Sequence, residues 1–253
     1  MDYKVLKGSA IGYKNIIKNN GSQDSLKYKS SKDYIICSVA DGHSSDFFEY
    51  SHIGSKLACD IAIDVIENEV DKNKGDILVM LKNEIIQKSI YNKWMAAVKD
   101  DYYKTHPKAY KIEYLKYSTT LVTVAVTKQY ILYLKIGDGE IIVNDNESFF
   151  KVVPTKSNNI VDSLGREDAF KNILFYVEDI NDRTIDNIIL FTDGYGNCFE
   201  SEINLYKSLI KTINKYNSNI FYRLRLLKEY NSYLTKLSEL NSKDDISIIF
   251  LIR

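Results

Sequence analysis

The chain has 253 residues, enough to bury a full core as one domain, and its 34 lysines and arginines equal its 34 aspartates and glutamates. A formal charge of zero excludes the global electrostatic excess that draws a protein to nucleic acid or to an anionic membrane surface. Only two prolines occur, no segment is rich in glycine and serine, and no period repeats, so a single domain over residues 1–253 is expected.

In chain order, a first weak strand is predicted over 4–13 and a strong apolar one over 34–40. Asp46, with Glu49 three residues on, reads as the N-cap of a helix whose buried face carries Ile53, Leu57, Ala58, Ile61, Ala62 and Val65. A second helix is expected from Asp76, through Ile77, Leu81, Ile85, Trp94 and Val98, to the turn at Thr105-His106-Pro107. Strong strands follow over 120–126 and 130–136, weaker ones over 140–144 and 173–177, and another strong one over 188–192. Residues 203–216 and 220–240 read as a helix pair, and 246–252 as the last strand. Strands interrupted by two helix pairs, without strict alternation, predict an α+β fold: a four-layer α-β-β-α sandwich of two antiparallel sheets flanked by helix pairs.

Cys37, Cys59 and Cys198 are odd in number, lack metal-type spacing and sit in apolar runs, so they read as reduced core residues of an intracellular protein. The first residues show no basic segment followed by an apolar one, and no apolar run approaches the ~20 residues of a membrane span. A cytoplasmic location with no membrane partner is the expectation.

Three strong strands run into the same dipeptide, at Val39-Ala40-Asp41-Gly42, Ile136-Gly137-Asp138-Gly139 and Phe191-Thr192-Asp193-Gly194, while Asp244-Asp245 precedes the final strand. Carboxylates gathered on one rim repel unless a cation neutralises them, and hard oxygen ligands favour magnesium, manganese or calcium over zinc. Asp-Gly is also the commonest two-residue hairpin turn. For Asp138-Gly139, followed at once by another strand, the hairpin reading stands level with the ligand reading; Asp41 and Asp193 lead into helical patterns, which a hairpin does not explain.

These segments resemble the metal-dependent protein phosphatases of the PP2C type (the PPM family), in particular the compact bacterial branch. The resemblance is carried, in the family's order, by Ser22-Gln23-Asp24, Val39-Ala40-Asp41-Gly42-His43-Ser44, Ser118-Thr119-Thr120-Leu121, Ile136-Gly137-Asp138-Gly139, Leu190-Phe191-Thr192-Asp193-Gly194 and Lys243-Asp244-Asp245-Ile246-Ser247. It implies a serine/threonine phosphoprotein phosphatase in which a water or hydroxide shared by two Mg2+ or Mn2+ ions attacks phosphorus. By the same resemblance Asp41 bridges the ions, the Gly42 carbonyl joins one of them, and Asp193 and Asp244 complete the other. Asp24 orients metal-bound water, Asp138 matches the place of a third, more weakly bound cation, and His43 matches the general acid. The implied partner is a phosphorylated protein, opposing a serine/threonine kinase.

Two positions depart from the family's pattern. Where an arginine binds the substrate phosphate in better-known members, five residues before the first aspartate, this chain has Asn19, and the glutamate that often precedes that aspartate is Gln23. Lys14, Lys18 and Arg166 are the remaining candidates for the phosphate, lysine as a point charge without the guanidinium fork. The departures motivate one alternative, a catalytically weak or inactive regulatory relative. A metal-dependent nuclease is disfavoured by the absent basic stripe.

Overall fold

The computed structural model describes residues 3–145, 148–153 and 161–253. Its strands are β1 (Lys4–Ala10), β2 (Ser25–Ser30), β3 (Tyr34–Ala40), β4 (Leu121–Thr127), β5 (Tyr130–Ile136), β6 (Glu140–Asp145), β7 (Ser148–Lys151), β8 (Leu174–Asp179), β9 (Asn187–Phe191) and β10 (Ile246–Ile252). The helices are α1 (Tyr13–Ile17), α2 (Ser51–Glu67), α3 (Lys74–Lys82), α4 (Ile85–Thr105), α5 (Asp193–Gly196), α6 (Glu202–Asn217) and α7 (Ile220–Leu240).

Two five-stranded sheets form, ordered β1-β10-β9-β6-β7 and β2-β3-β4-β5-β8, and every pairing is antiparallel. Helices α2, α3 and α4 cover the second sheet, α6 and α7 cover the first, and a third apolar layer fills the space between the sheets. The predicted α-β-β-α sandwich is the observed one. Central strands read as continuous apolar runs because both of their faces are covered. Along β5, Leu132, Leu134 and Ile136 meet the helices while Ile131 and Tyr133 point between the sheets.

Several expected boundaries move. The helix expected after Asp46 starts at Ser51 with no side-chain cap, and Asp46 is instead a fully exposed partner of Lys18. The single helix expected from Asp76 is two: Asn73 caps α3 by accepting from the Asp76 amide, and Glu84 at φ 59° in the left-handed region separates it from α4. The first strand stops at Ala10 because Gly12 opens α1. Edge strands β2 and β7 were not expected; they are short and largely exposed, so no apolar run announces them. The Asp138-Gly139 hairpin is overturned, since β5 and β6 are not paired and the chain crosses there from one sheet to the other. Gly137, at φ 98°, makes that turn.

Helix α2 sits unusually close to the segment before β4. A Cβ on Gly54 would lie 1.9 Å from the Tyr117 carbonyl oxygen, and the Gly54 carbonyl accepts from the Trp94 indole at 2.9 Å. Gly54→Ala must therefore push α2 away from Tyr117. We expect it to destabilise the fold by about 1–3 kcal/mol in denaturant unfolding; an unchanged midpoint would show that this contact does not constrain α2.

Candidate functional site

Antiparallel register brings the acidic strand ends to one rim. Ser25 pairs with Ala40, which sets Asp24 beside Asp41; Glu140 and Ile248 both pair with Phe191, which brings the Asp138 turn and the Asp244-Asp245 entry to β10 beside Asp193. Asp41, Asp138 and Asp193 each offer a carboxylate oxygen within 4.8 Å of the others. Asp24 accepts from Thr192 Oγ1 at 2.7 Å through Oδ2. Its Oδ1, and Oδ1 of Asp138, are buried with no hydrogen-bond partner among the described residues.

Burial, and then the charges of neighbouring aspartates, push Asp24 and Asp41 well above the usual carboxylate range. Burial and the charge of Asp193 raise Asp138 to about 6. Asp244 is also raised, by burial first, while Lys14, whose Nζ lies 3.6 Å away, pulls it back. Asp245 has another task. Its two oxygens accept from the Gly12 amide at 2.5 Å, the Gln23 amide at 2.6 Å and the Asn15 side chain at 3.0 Å, so it pins α1 and the start of β2 to the rim.

The Ser118-Thr119-Thr120 segment holds the Asp41 backbone. The Asp41 carbonyl accepts from the Thr120 amide at 2.8 Å and the Thr119 hydroxyl at 2.9 Å, and its own amide donates to Thr120 Oγ1 at 3.1 Å. Gly42 lies so close to the Gln23 and Ser51 carbonyls that a Cβ would come within 2.6 and 2.7 Å of their oxygens. The His43 ring packs tilted against Phe48, centroids 4.7 Å apart, and burial, then the charge of Arg166, lower its pKa. Its carbonyl accepts from Gln23 Nε2 at 3.0 Å and Ser51 Oγ at 2.9 Å. A carboxylate at position 23 could not make the donation to the His43 carbonyl, so the amide that departs from the pattern braces the histidine loop.

Of the phosphate candidates, Lys14 lies beside Asp244 and Lys18 is paired with Asp46 at 3.3 Å. Arg166 is exposed in a loop stitched to the rim by the Leu164 amide, which donates to the Thr119 carbonyl at 2.9 Å. Asn19 adopts φ 56°. Cavities of about 380 Å³ and 390 Å³ flank the cluster, one lined by Ser22, Ser44, Phe48 and His52, the other by Asp138, Glu140, Lys151 and Asp193. Reasoning from sequence missed Gln23, Thr192 and Asp245 as supports; only the cross-rim pairing reveals them.

A family model described as protein phosphatase 2C matches residues 11–235. The chain belongs to the protein phosphatase 2C family. No curated protein matches it by sequence. Solved structures similar to it include a bacterial serine phosphatase (12% identity, 99% of this chain and 97% of that one, TM-score 0.61). Another is the catalytic domain of the serine/threonine protein phosphatase PstP in complex with two manganese ions (13%, 99% and 97%, TM-score 0.61). A third is the serine/threonine phosphatase Stp1 from Staphylococcus aureus (12%, 100% and 96%, TM-score 0.61).

As a protein phosphatase 2C, the chain is a metal-dependent serine/threonine phosphoprotein phosphatase. Its rim fits divalent cations on its own chemistry: clustered hard oxygens, two of them buried without donors, and carboxyls whose charges oppose one another. Among the described residues no helix is long and apolar enough to cross a membrane.

The raised Asp138 gives a signed expectation. A carboxyl whose folded pKa of about 6 exceeds its unfolded value of about 3.9 loses stability for the fold as pH rises through that window. Metal-free Asp138→Asn should thus be more stable than the parent by about 2–3 kcal/mol at pH 7.5, with the gain gone near pH 4. Unfolding with chelator at both pH values tests this; a gain independent of pH would deny the carboxylate its strain.

Proposed function

We propose that the rim hydrolyses phosphoserine and phosphothreonine in proteins with two Mg2+ or Mn2+ ions, which Asp41, the Gly42 carbonyl, Asp193 and Asp244 would hold. The observation that supports this most is the convergence of Asp41, Asp138 and Asp193 within 4.8 Å, two residues from a histidine. Divalent cations held there supply positive charge for the phosphoryl group and acidify a bound water.

Everything else falls to side chains. Asp24, fixed by Thr192, keeps a buried oxygen that would orient bound water, and Asp138 would hold a third, weaker cation. His43 gives its proton to the departing serine or threonine oxygen, a poor leaving group unless protonated. Gln23 and Ser51 fix the backbone that carries the histidine. Lys14, beside Asp244, and Arg166, whose charge acts on His43, are the candidates for the phosphate, whereas Lys18 is engaged by Asp46. We place the enzyme in the cytoplasm, opposing a serine/threonine kinase.

With saturating Mn2+, Asp41→Asn or Asp193→Asn should abolish hydrolysis of an aryl phosphate and chelation should do the same; retained turnover in either variant would sink the metal assignment. His43→Ala should slow phosphopeptide hydrolysis by roughly 10²-fold but cost less on the aryl phosphate, whose leaving group is already acidic. Equal losses on the two substrates would remove the general acid. Asn19→Arg should lower KM more than it changes kcat, because a guanidinium contact made equally in ground and transition states acts on binding. Steady-state kinetics on one phosphopeptide decides it, an unchanged KM showing that phosphate is recognised away from this loop.

A further inference from the structure

Helix α7 packs over only part of its length. Its buried residues, Leu226, Tyr230, Leu234 and Ser238, recur every fourth position, and the turns before Leu226 bury nothing. Those turns are firmly built all the same. Asn219 accepts from the Phe221 and Tyr222 amides at 3.0 and 3.1 Å, and Arg223 Nε donates to the Tyr216 carbonyl at 2.8 Å with its guanidinium over the Tyr216 ring. A helical turn that faces only water is ordinarily polar, yet this one carries Ile220, Phe221, Leu224 and Leu227, which are 65%, 76%, 59% and 49% exposed. Positions 220, 224 and 227 share one face, with Phe221 three residues before Leu224 at its side. Apolar residues exposed singly need no explanation; a stripe of four does.

The charge around the stripe is one-sided. From Ile203 to Lys228 the chain carries Lys207, Lys211, Lys215, Arg223, Arg225 and Lys228 and no aspartate or glutamate, although the net charge of the whole chain is zero. Glu229, the next residue, accepts from Arg225 at 3.0 Å, so through residue 229 six cations stand against one carboxylate. Among the described residues Lys207, Lys211, Lys215 and Lys228 form no ion pair. A second copy of the chain docked through the same face would set these cations against their own kind. Bulky apolar side chains on a projecting helix, flanked by lysines and arginines, have the composition of a helix that lies in the headgroup region of an anionic bilayer. A fluid surface closes around such a convex stripe, whereas a protein partner would have to offer a matching groove.

We propose that the first turns of α7, with the lysines of α6 beside them, dock the protein on an anionic lipid surface. Ile220, Phe221, Leu224 and Leu227 enter the boundary between headgroups and acyl chains, and the surrounding lysines and arginines meet lipid phosphates. The acidic rim stays clear of the bilayer. Helix α7 spans 21 residues, about 30 Å, and Asp244 lies just beyond its far end. The sequence-based expectation of no membrane partner rested on net charge and on the length of apolar runs, and neither quantity registers a local face. The inference is independent of the phosphatase reading.

The test is sedimentation of the full chain with vesicles, which needs no turnover. The parent should bind vesicles containing about 30% phosphatidylglycerol at least tenfold more strongly than vesicles of phosphatidylcholine alone, and about 0.5 M NaCl should release it. Phe221→Ser with Leu224→Ser should weaken binding tenfold or more, and so should Lys215→Gln with Lys228→Gln, while the unfolding midpoint of each stays that of the parent because these side chains pack little. The two pairs are independent, so either serves if the other disturbs the fold. Absent binding, equal binding to the two kinds of vesicle, or binding that neither pair weakens overturns the proposal. Binding to soluble polyglutamate but not to vesicles overturns it in favour of an acidic protein partner, and a dimer dissolved by Phe221→Ser with Leu224→Ser, without vesicle binding, overturns it in favour of a second copy.

Discussion

The mutual repulsion of carboxylates gathered on one rim is the constraint to which the rest of the molecule answers. Asp24, Asp41, Asp138, Asp193 and Asp244 come from five separate places in the chain, and burial together with one another's charge holds four of them above their ordinary pKa. A site that raises its own energy in this way survives only if the scaffold cannot relax it. Two stacked antiparallel sheets provide that rigidity, since register fixes each strand end to its neighbour and three apolar layers fix the sheets and helices.

Local bonds then remove the freedom that remains at the loops. The Thr119 and Thr120 hydroxyls and the Thr120 amide hold the Asp41 backbone, while Thr192 ties Asp24 to the β9–β10 pair through the Ser247 amide at 3.0 Å. Asp245 spends its charge on three donors and so is set apart from its neighbour Asp244, which accepts from the Asp245 amide at 3.2 Å and lies beside Lys14. One aspartate latches the fold and the adjacent one faces the site. The difference lies wholly in what donors each meets.

Charge is balanced locally rather than over the molecule. The zero net charge of the chain conceals an acidic rim and, beneath it, the buried Lys135. Likewise Gln23 is no simple loss of charge: as a donor to the His43 carbonyl and the Ser51 hydroxyl it does for the histidine loop what a carboxylate could not. One of the two departures that raised the alternative of an inactive relative thus has a structural role.

The layered architecture, the strong strands and the acidic strand ends were legible in the sequence because they rest on local regularities. A strand covered on both faces is a short apolar run, a packed helix repeats its apolar residues every three to four positions, and Asp-Gly after a strand stands out at once. Residues 34–40, 130–136, 220–240 and 246–252 have the observed bounds for that reason. Edge strands β2 and β7 escaped because exposed strands need no apolar pattern, and the break at Glu84 escaped because periodicity is blind to a single left-handed residue. What only the tertiary structure decided is who meets whom. Asp138 as a crossing between sheets rather than a hairpin, Asp245 as a latch, Gln23 as a brace and Lys135 as a buried cation all depend on contacts between residues far apart in the chain. Such contacts are set by sheet order and register, and neither quantity is written in any local stretch of sequence.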